Sequence, residues 1–232
     1  MKNRFHVTSS AFILIVSSYF SFMLNIGFWQ FACEKTEIDS LNTALFAFSL
    51  PFFIFIPLLW FFSLITLPWI GKPLIMVLFV LSAVSDYALR NFGVAVNADM
   101  IRNFMETNVR EATDLITLQS FSYILVAGVF PAVLTGMTHI EFLPFKKEVF
   151  RRFLFFISGT VALVAIASVS YKEYASFGRN NRQVRYHINT FNYIYAAVRH
   201  VRQINDAKRK FVVLDDAPEI FPHKDHTPRV LV

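Results

Sequence analysis

The sequence is poor in cysteine and in charged residues. Its one cysteine, Cys33, cannot form an intrachain disulfide. Only 16% of the 232 residues are charged, whereas 55% are hydrophobic and 28 are phenylalanine. A soluble domain of this size rarely has such a composition, which predicts a membrane protein. The +6 net charge is concentrated in loops and in the last part of the chain. It therefore reflects membrane topology and surface partners, and we predict no nucleic-acid partner.

A cleavable signal peptide is also lacking. The first apolar run, residues 11–33, is too long for one, and no small-residue cleavage site follows it. We interpret it as the first spanning helix. Four more runs approach or exceed the length of about 20 residues that crosses a bilayer; they cover residues 44–70, 73–92, 120–139 and 153–171. The predicted fold class is all-α membrane, with a bundle of five transmembrane helices in residues 1–171.

The distribution of basic residues predicts the orientation of this bundle. With a cytoplasmic N-terminus, the inner segments hold Lys2, Arg4, Lys72, Lys146, Lys147, Arg151 and Arg152. The outer short segments hold only Lys35, Arg90, Arg102 and Arg110. The excess of positive charge on one side favours a cytoplasmic N-terminus. Five crossings then place the C-terminus in the periplasm.

Between the third and fourth runs, the residues near 97–113 have the pattern of an amphipathic helix. One arc is apolar, and the opposite arc alternates in charge at a spacing of four residues, as in a solvated face of ion pairs. An oblique row of Asn103, Thr107 and Glu111 separates the two arcs. On a helix lying at the membrane interface, this row would sit at the depth of the lipid headgroups.

The Asn103, Thr107 and Glu111 row allows two interpretations. Its amide, hydroxyl and carboxylate could bind a zwitterionic headgroup, with the carboxylate meeting an ammonium. The alternative is that they are ordinary rim residues that hydrogen-bond to neighbouring loops. Spacing alone favours the second interpretation.

Asp86 lies in the outer part of the third predicted helix, four residues before Arg90. An ionisable residue within a membrane helix is a functional candidate by default. The spacing instead favours a simple ion pair, which we expect near the surface.

Residues 172–228 have the composition of a linker rather than of a membrane helix. Residues 190–205 have helical spacing of apolar side chains. His223, Asp225 and His226 raise the possibility of a metal site, but two histidines and one acid in a linker more often form a solvated loop, so no metal site is predicted. Residues 229–232 resemble the opening of a buried strand, from which we expect the chain to be the front part of a longer protein.

Several motifs resemble one family. They are Asn103-Phe104-Met105-Glu106-Thr107 with Glu111-Ala112, Tyr171-Lys172-Glu173-Tyr174-Ala175-Ser176, Arg179-Asn180-Asn181, Asn192-Tyr193-Ile194-Tyr195-Ala196 and Arg229-Val230-Leu231-Val232. Together they resemble the lipid A phosphoethanolamine transferases, the group that includes the colistin-resistance enzymes. The resemblance covers nearly the whole chain.

The resemblance implies a fold and a function. It implies a five-helix membrane bundle, a periplasmic bridging helix and the start of an α/β alkaline-phosphatase-like domain at residues 229–232. Such enzymes move phosphoethanolamine from phosphatidylethanolamine to lipid A at the bacterial inner membrane, which lowers surface charge and gives polymyxin resistance. It also implies that Asn103, Thr107 and Glu111 contact the donor headgroup, which reverses the preference stated above. Arg179, Arg182 and Arg185 could contact lipid A phosphates or simply the anionic membrane surface, and both interpretations stay open.

The sequence departs from that family in lacking its catalytic residues. The nucleophilic threonine and the zinc ligands that the family uses find no counterpart here, so we predict no catalytic residue in this chain. Zinc chemistry needs the ion to polarise the phosphoryl oxygen and activate the nucleophile. Residues 1–232 alone are therefore expected to leave lipid A unmodified. The alternative to an enzyme is a non-enzymatic membrane subunit for lipid binding or transport.

Overall fold

A computed structural model describes residues 5–93 and 117–207 of the chain. In chain order the elements are β1 (His6–Thr8), α1 (Ser9–Phe22), α2 (Ile26–Lys35), α3 (Leu41–Ile65), α4 (Gly71–Phe92), α5 (Leu118–Ile124), a π-helical turn (Leu125–Val129), α6 (Phe130–Met137), β2 (His139–Glu141), α7 (Phe145–Asn180), α8 (Val184–His187) and α9 (Asn189–Ala207). The predicted amphipathic helix near 97–113 and the strand beginning at 229–232 lie outside the described residues.

Within the described residues, four helical segments are long and apolar enough to cross a membrane: α3, α4, the continuous α5–π–α6 segment and α7. The pair α1 and α2 makes a fifth candidate span if its two bent parts are counted together. The chain is thus an all-helical, multi-pass membrane protein. Helix α7 is much longer than the predicted span at 153–171, because it continues at both ends beyond the apolar run.

The first span is not the single continuous helix that the sequence predicts. Its two parts, α1 and α2, meet at an angle of 52°. At the break, the buried Asn25 donates a hydrogen bond from Nδ2 to the carbonyl of Phe20 at 2.7 Å. The indole of Trp29 donates to the carbonyl of Ser21 at 2.9 Å. These side chains satisfy carbonyl groups that the interrupted helix leaves without a partner, which makes the bend tolerable in an apolar environment.

A π-helical turn interrupts the fourth span at its centre. The Tyr19 hydroxyl on α1 donates to the carbonyl of Ala127 within this turn at 3.1 Å. Gly128 packs so closely against α4 that a Cβ atom there would lie 2.9 Å from the Cβ of Ala83. The turn therefore fixes the contact of this span with both α1 and α4.

At one end of the bundle, the N-terminal residues pair with the loop after α6. Strand β1 is parallel to β2, with His6 opposite His139 and Thr8 opposite Glu141. The same end holds an ion pair within α7, in which Arg152 Nη2 lies 3.0 Å from Glu148 Oε1. Arg152 also donates to the carbonyls of Ser63 and Thr66 at the end of α3. This arginine joins the start of α7 to the last turn of α3.

The core lies among α1, α3 and α4. The ring centroid of Phe20 lies 4.6 Å from that of Phe62 and 4.8 Å from that of Phe79. All three side chains are buried. Helix α7 packs against α3 but is otherwise largely on the outside of the bundle, as only 11% of its apolar 18-residue segment is buried.

Candidate functional site

The predicted headgroup-binding row, Asn103, Thr107 and Glu111, lies in residues 94–116, which are outside the described residues. The flanks of this segment are described and lie close together. Helix α4 ends at Gly93, whose φ of 64° is the left-handed conformation common at helix C-termini. Thr117 begins the next helix as its cap, and its Oγ1 lies 3.4 Å from the hydroxyl of Tyr87 on α4.

Asp86 lies in the last two turns of α4 and is completely buried. The predicted ion pair with Arg90 is present, with 2.8 Å between Arg90 Nε and Asp86 Oδ2. Arg90 is partly exposed, whereas the Asp86 carboxylate is enclosed by protein. The carboxylate also accepts hydrogen bonds from the hydroxyl of Tyr123 at 2.7 Å and the backbone N–H of Gly27 at 3.2 Å. Spacing could not predict this burial, since two of the partners come from other helices.

The Asp86 network joins three helices. Its members come from α2, α4 and α5, and the Arg90 guanidinium additionally stacks on the Tyr123 ring at 4.6 Å. A buried carboxylate needs such compensation, because removing its hydration costs several kcal/mol. The network holds the C-terminal end of α4 and the N-terminal end of α5 together, and these are the two flanks of residues 94–116.

The linker helix is attached to the bundle at its first residue. Asn189 Nδ2 donates to the carbonyls of Leu24 and Ser82 at 2.7 and 2.8 Å. Its backbone N–H donates to Asn25 Oδ1 at 2.8 Å. One turn later, the Tyr193 hydroxyl lies 2.9 Å from Ser82 Oγ. Burial raises the pKa of Tyr193 to about 12, so the phenol stays protonated at neutral pH. The helix that the sequence predicts at 190–205 is confirmed, and it starts on the bundle.

An apolar cavity of about 560 Å³ separates α7 from α3 and reaches to α8. Nearly all of its walls are hydrophobic; they include Phe53, Trp60, Leu163, Ala167, Tyr174 and Ile188. We call this cavity the α3–α7 groove. The sequence gives no sign of it, because it arises from the separation of two helices rather than from the residues of either one.

The predicted arginines line two different cavities beyond the C-terminal end of α7. Arg179 and Arg182 line one cavity of about 420 Å³ together with Lys35, Asn180, Asn181 and Gln183. We call these six residues the basic rim. Arg185 instead lines a separate cavity with Arg199, and its guanidinium lies over the Tyr186 ring at 4.7 Å. Lys35 comes from α2, so sequence spacing could not associate it with the two arginines.

Aromatic residues connect the basic rim with the α3–α7 groove. Phe31, which lines the rim cavity, makes an edge contact with Phe177 of the groove at 6.5 Å between ring centroids. Phe31 also stacks on His187 of α8 at 4.2 Å. Burial lowers the pKa of His187, so this ring is neutral at pH 7 and adds no positive charge to the rim. The arrangement places a cationic surface at the mouth of an apolar cavity.

No zinc site is formed by the part of the chain that the structure describes. Among residues 5–93 and 117–207, no group of three or more histidine, cysteine, aspartate or glutamate side chains could hold a metal ion. Protein zinc sites use three or four such ligands. The described residues therefore do not fit the zinc that the family resemblance implies.

Comparison with known proteins gives consistent matches. The family model for phosphoethanolamine transferase EptA/EptB matches residues 54–204. Phosphoethanolamine transferase EptA of Escherichia coli strain K12 is 26% identical over 188 residues, which are 81% of this chain and 34% of that protein. Phosphatidylethanolamine transferase Mcr-2 of Escherichia coli is 29% identical over 133 residues, covering 57% of this chain and 25% of that protein.

A solved structure also resembles the fold. It is the integral membrane lipooligosaccharide phosphoethanolamine transferase A (EptA) from Neisseria meningitidis, with a TM-score of 0.83 and 28% identity. The match covers 88% of this chain and 38% of that one. The chain spans about a third of the length of the curated EptA relatives it matches.

Proposed function

Because the chain belongs to the phosphoethanolamine transferase EptA/EptB family, we propose that it forms the membrane-embedded, donor-lipid-binding part of a phosphoethanolamine transferase. The donor is phosphatidylethanolamine and the acceptor is lipid A. The observation that supports this most directly is the similarity to the EptA structure, which extends over 88% of the chain at a TM-score of 0.83.

The donor headgroup is assigned to Asn103, Thr107 and Glu111. The Glu111 carboxylate would pair with the ethanolamine ammonium, and Asn103 and Thr107 would hydrogen-bond to phosphate or ester oxygens. A primary ammonium offers three N–H donors, whereas the quaternary ammonium of choline offers none, so this row would prefer ethanolamine. The Asp86 network supports the assignment, since it holds both flanks of residues 94–116 at one end of the bundle.

The topology follows from the same proposal. The protein lies in the bacterial inner membrane with a cytoplasmic N-terminus, and residues 172–228 form a periplasmic linker. Residues 97–113, which lie outside the described residues, are assigned to a periplasmic helix on the membrane surface. Transfer of phosphoethanolamine to lipid A adds an amine to the outer surface, lowers its negative charge and so weakens the binding of cationic polymyxins.

The phosphoryl-transfer chemistry is assigned to residues outside those that the structure describes. Residues 229–232 would begin an α/β alkaline-phosphatase-like domain, and zinc would be the cofactor of that domain. The described part contributes lipid binding and orientation: it brings the donor headgroup to the membrane surface and holds the linker on the bundle through Asn189.

The donor assignment is tested by Glu111→Gln in the intact protein. We expect phosphoethanolamine transfer from phosphatidylethanolamine to fall at least about tenfold, because a hydrogen bond to a charged group contributes about 1.5–3 kcal/mol. Transfer is measured by mass spectrometry of lipid A, together with membrane insertion. Glu106→Gln is the matched control: the same chemical change on the opposite, ion-paired arc of the predicted helix should leave transfer within twofold. Unchanged transfer in Glu111→Gln would show that this carboxylate does not bind the headgroup.

A further inference from the structure

We propose that the α3–α7 groove and the basic rim together bind an anionic glycerophospholipid whose headgroup carries phosphate but no amine. One acyl chain would lie in the groove, and the phosphate would contact Lys35, Arg179 and Arg182. This site goes beyond the donor function assigned above. The residues that line it are all described, and lipid binding there does not depend on the transfer reaction.

The groove has the dimensions of an acyl-chain site. Helices α3 and α7 are in close contact at two positions along the groove: Gly159 packs against Trp60, and a hydrogen bond of 2.9 Å joins the hydroxyls of Ser49 and Tyr174. The lining continues beyond Tyr174 to Phe177 and Gly178. Between these contacts the α7 backbone leaves helical geometry at Ser170, with φ of −121° and ψ of 25°. Residues 159 and 174 are separated by 15 helical steps, which correspond to about 22 Å of helix. An acyl chain of one leaflet spans about 15 Å, half of the hydrocarbon thickness.

The mouth of the groove lies where a lipid headgroup is expected. The 36 residues of α7 correspond to about 54 Å of helical path, bent at Ser170, which exceeds the hydrocarbon thickness of about 30 Å. Tyr171 and Tyr174 line the outer part of the groove, and tyrosines of this kind concentrate at the membrane interface. Arg179 and Arg182 follow two turns later, at the depth of phosphate groups.

The charges of the basic rim suit a phosphate without an amine. Three cations and the side-chain amides of Asn180, Asn181 and Gln183 line the rim cavity, and no carboxylate does. Within residues 5–93 and 117–207, none of the three cations forms a salt bridge. Phosphate oxygens would accept hydrogen bonds from these donors, whereas an ammonium would be repelled. Two carboxylates, Glu37 and Glu173, line the neighbouring cavity on the other side of Lys35.

Trp60 allows a direct measurement, because its indole lines the groove. The experiment uses the intact protein with Trp29→His, which keeps a ring N–H for the Ser21 carbonyl, and with Trp69→Phe. Trp60 is then the one tryptophan of residues 1–232, and any tryptophan elsewhere in the protein is replaced by phenylalanine. The protein is placed in phosphatidylcholine vesicles, and acyl-brominated phosphatidylglycerol, phosphatidylethanolamine or phosphatidylcholine is titrated in. We expect phosphatidylglycerol to quench Trp60 at a mole fraction at least about tenfold lower than the other two, since each cation near the membrane surface contributes about fivefold.

Paired variants separate the contributions of groove and rim. Ala167→Phe fills the groove and is expected to abolish the selective quenching, whereas Ala165→Phe, on the same helix but outside the groove lining, should retain it. Arg182→Glu should remove at least about fivefold of the preference for phosphatidylglycerol, and Arg185→Glu, outside the basic rim, less than twofold. Excess inorganic phosphate should not displace the lipid.

Three results would overturn this proposal. Equal quenching by the three lipids would show ordinary contact with bulk lipid. Stronger quenching by phosphatidylethanolamine would show that the rim accepts an amine-bearing headgroup. Displacement by inorganic phosphate would show that the rim binds free anions without the groove. Loss of transfer in Glu111→Gln is measured separately, so either proposal can fail without the other.

Discussion

Replacing Asp86 with alanine is expected to destabilise the membrane bundle by about 3–5 kcal/mol, the typical cost of removing one partner of a buried ion pair. The substitution leaves the Arg90 guanidinium without its counter-ion, and the hydroxyl of Tyr123 and the N–H of Gly27 without their acceptor. Asp86 itself is completely buried, whereas the Arg90 side chain is 21% exposed, so we expect the loss at the lower end of this range. The melting temperature of the purified protein in detergent should fall by about 10 °C or more.

Two further variants test whether the loss of stability comes from the buried carboxylate of Asp86. Asp86→Asn keeps an oxygen acceptor but not the negative charge, so its melting temperature should lie between those of the wild type and the alanine variant. Glu37→Gln removes the charge of an exposed carboxylate and should change the melting temperature by no more than about 2 °C. A melting temperature of Asp86→Ala equal to that of the wild type would mean that the network contributes nothing to the contact between α2, α4 and α5.

Replacing Gly159 with alanine or leucine is expected to give the second largest effect. A Cβ atom at this position would lie 2.6 Å from Nε1 of Trp60 and 2.8 Å from Cγ2 of Ile56, so α7 and α3 would have to separate. Overpacking of this kind costs about 1–3 kcal/mol, with leucine at the upper end or above. Separation would also lengthen the bond of 3.3 Å from the Trp60 indole to the carbonyl of Phe155.

Whether Gly159→Ala raises or lowers the melting temperature shows whether α3 and α7 are in close contact at this position. In a helix without close neighbours, glycine to alanine is favourable by about 1 kcal/mol. Gly178 provides that control within the same helix, because a Cβ there would meet no atom within 4 Å. Thermal unfolding should therefore show Gly178→Ala equal to or above the wild type and Gly159→Ala below it. If both substitutions raise the melting temperature, α3 and α7 are not in close contact at Gly159.

The sequence predicts the number and approximate position of the spans because long apolar runs carry that information directly. It misses the break between α1 and α2, since Asn25 is one polar residue in an apolar run and its partners are set by the fold. It also misses the pairing of β1 with β2, as each strand has only three residues. The predicted ion pair of Asp86 with Arg90 is local and is found, whereas its burial depends on contacts with other helices.

In the candidate site, too, local features can be predicted from the sequence, and contacts between helices cannot. Arg179 at the end of α7 and Arg182 in the turn after it are only three positions apart, so their association follows from the motif. Their association with Lys35 and the presence of the α3–α7 groove follow only from how separate helices approach each other. The assignment of Asn103, Thr107 and Glu111 to the donor headgroup stays a prediction, since these residues lie outside the described part of the chain.

The 52° bend of the first span determines where its last residue ends up. Measured along the axis of α1, the ten residues of α2, about 15 Å long, rise by about 9 Å and move about 12 Å sideways. That lateral step carries the ammonium of Lys35 towards the two guanidinium groups beyond the kink of α7. A straight first helix would instead lift the lysine into solvent, and three like charges would no longer converge. The bend at Asn25 therefore places three basic side chains, Lys35, Arg179 and Arg182, around one cavity.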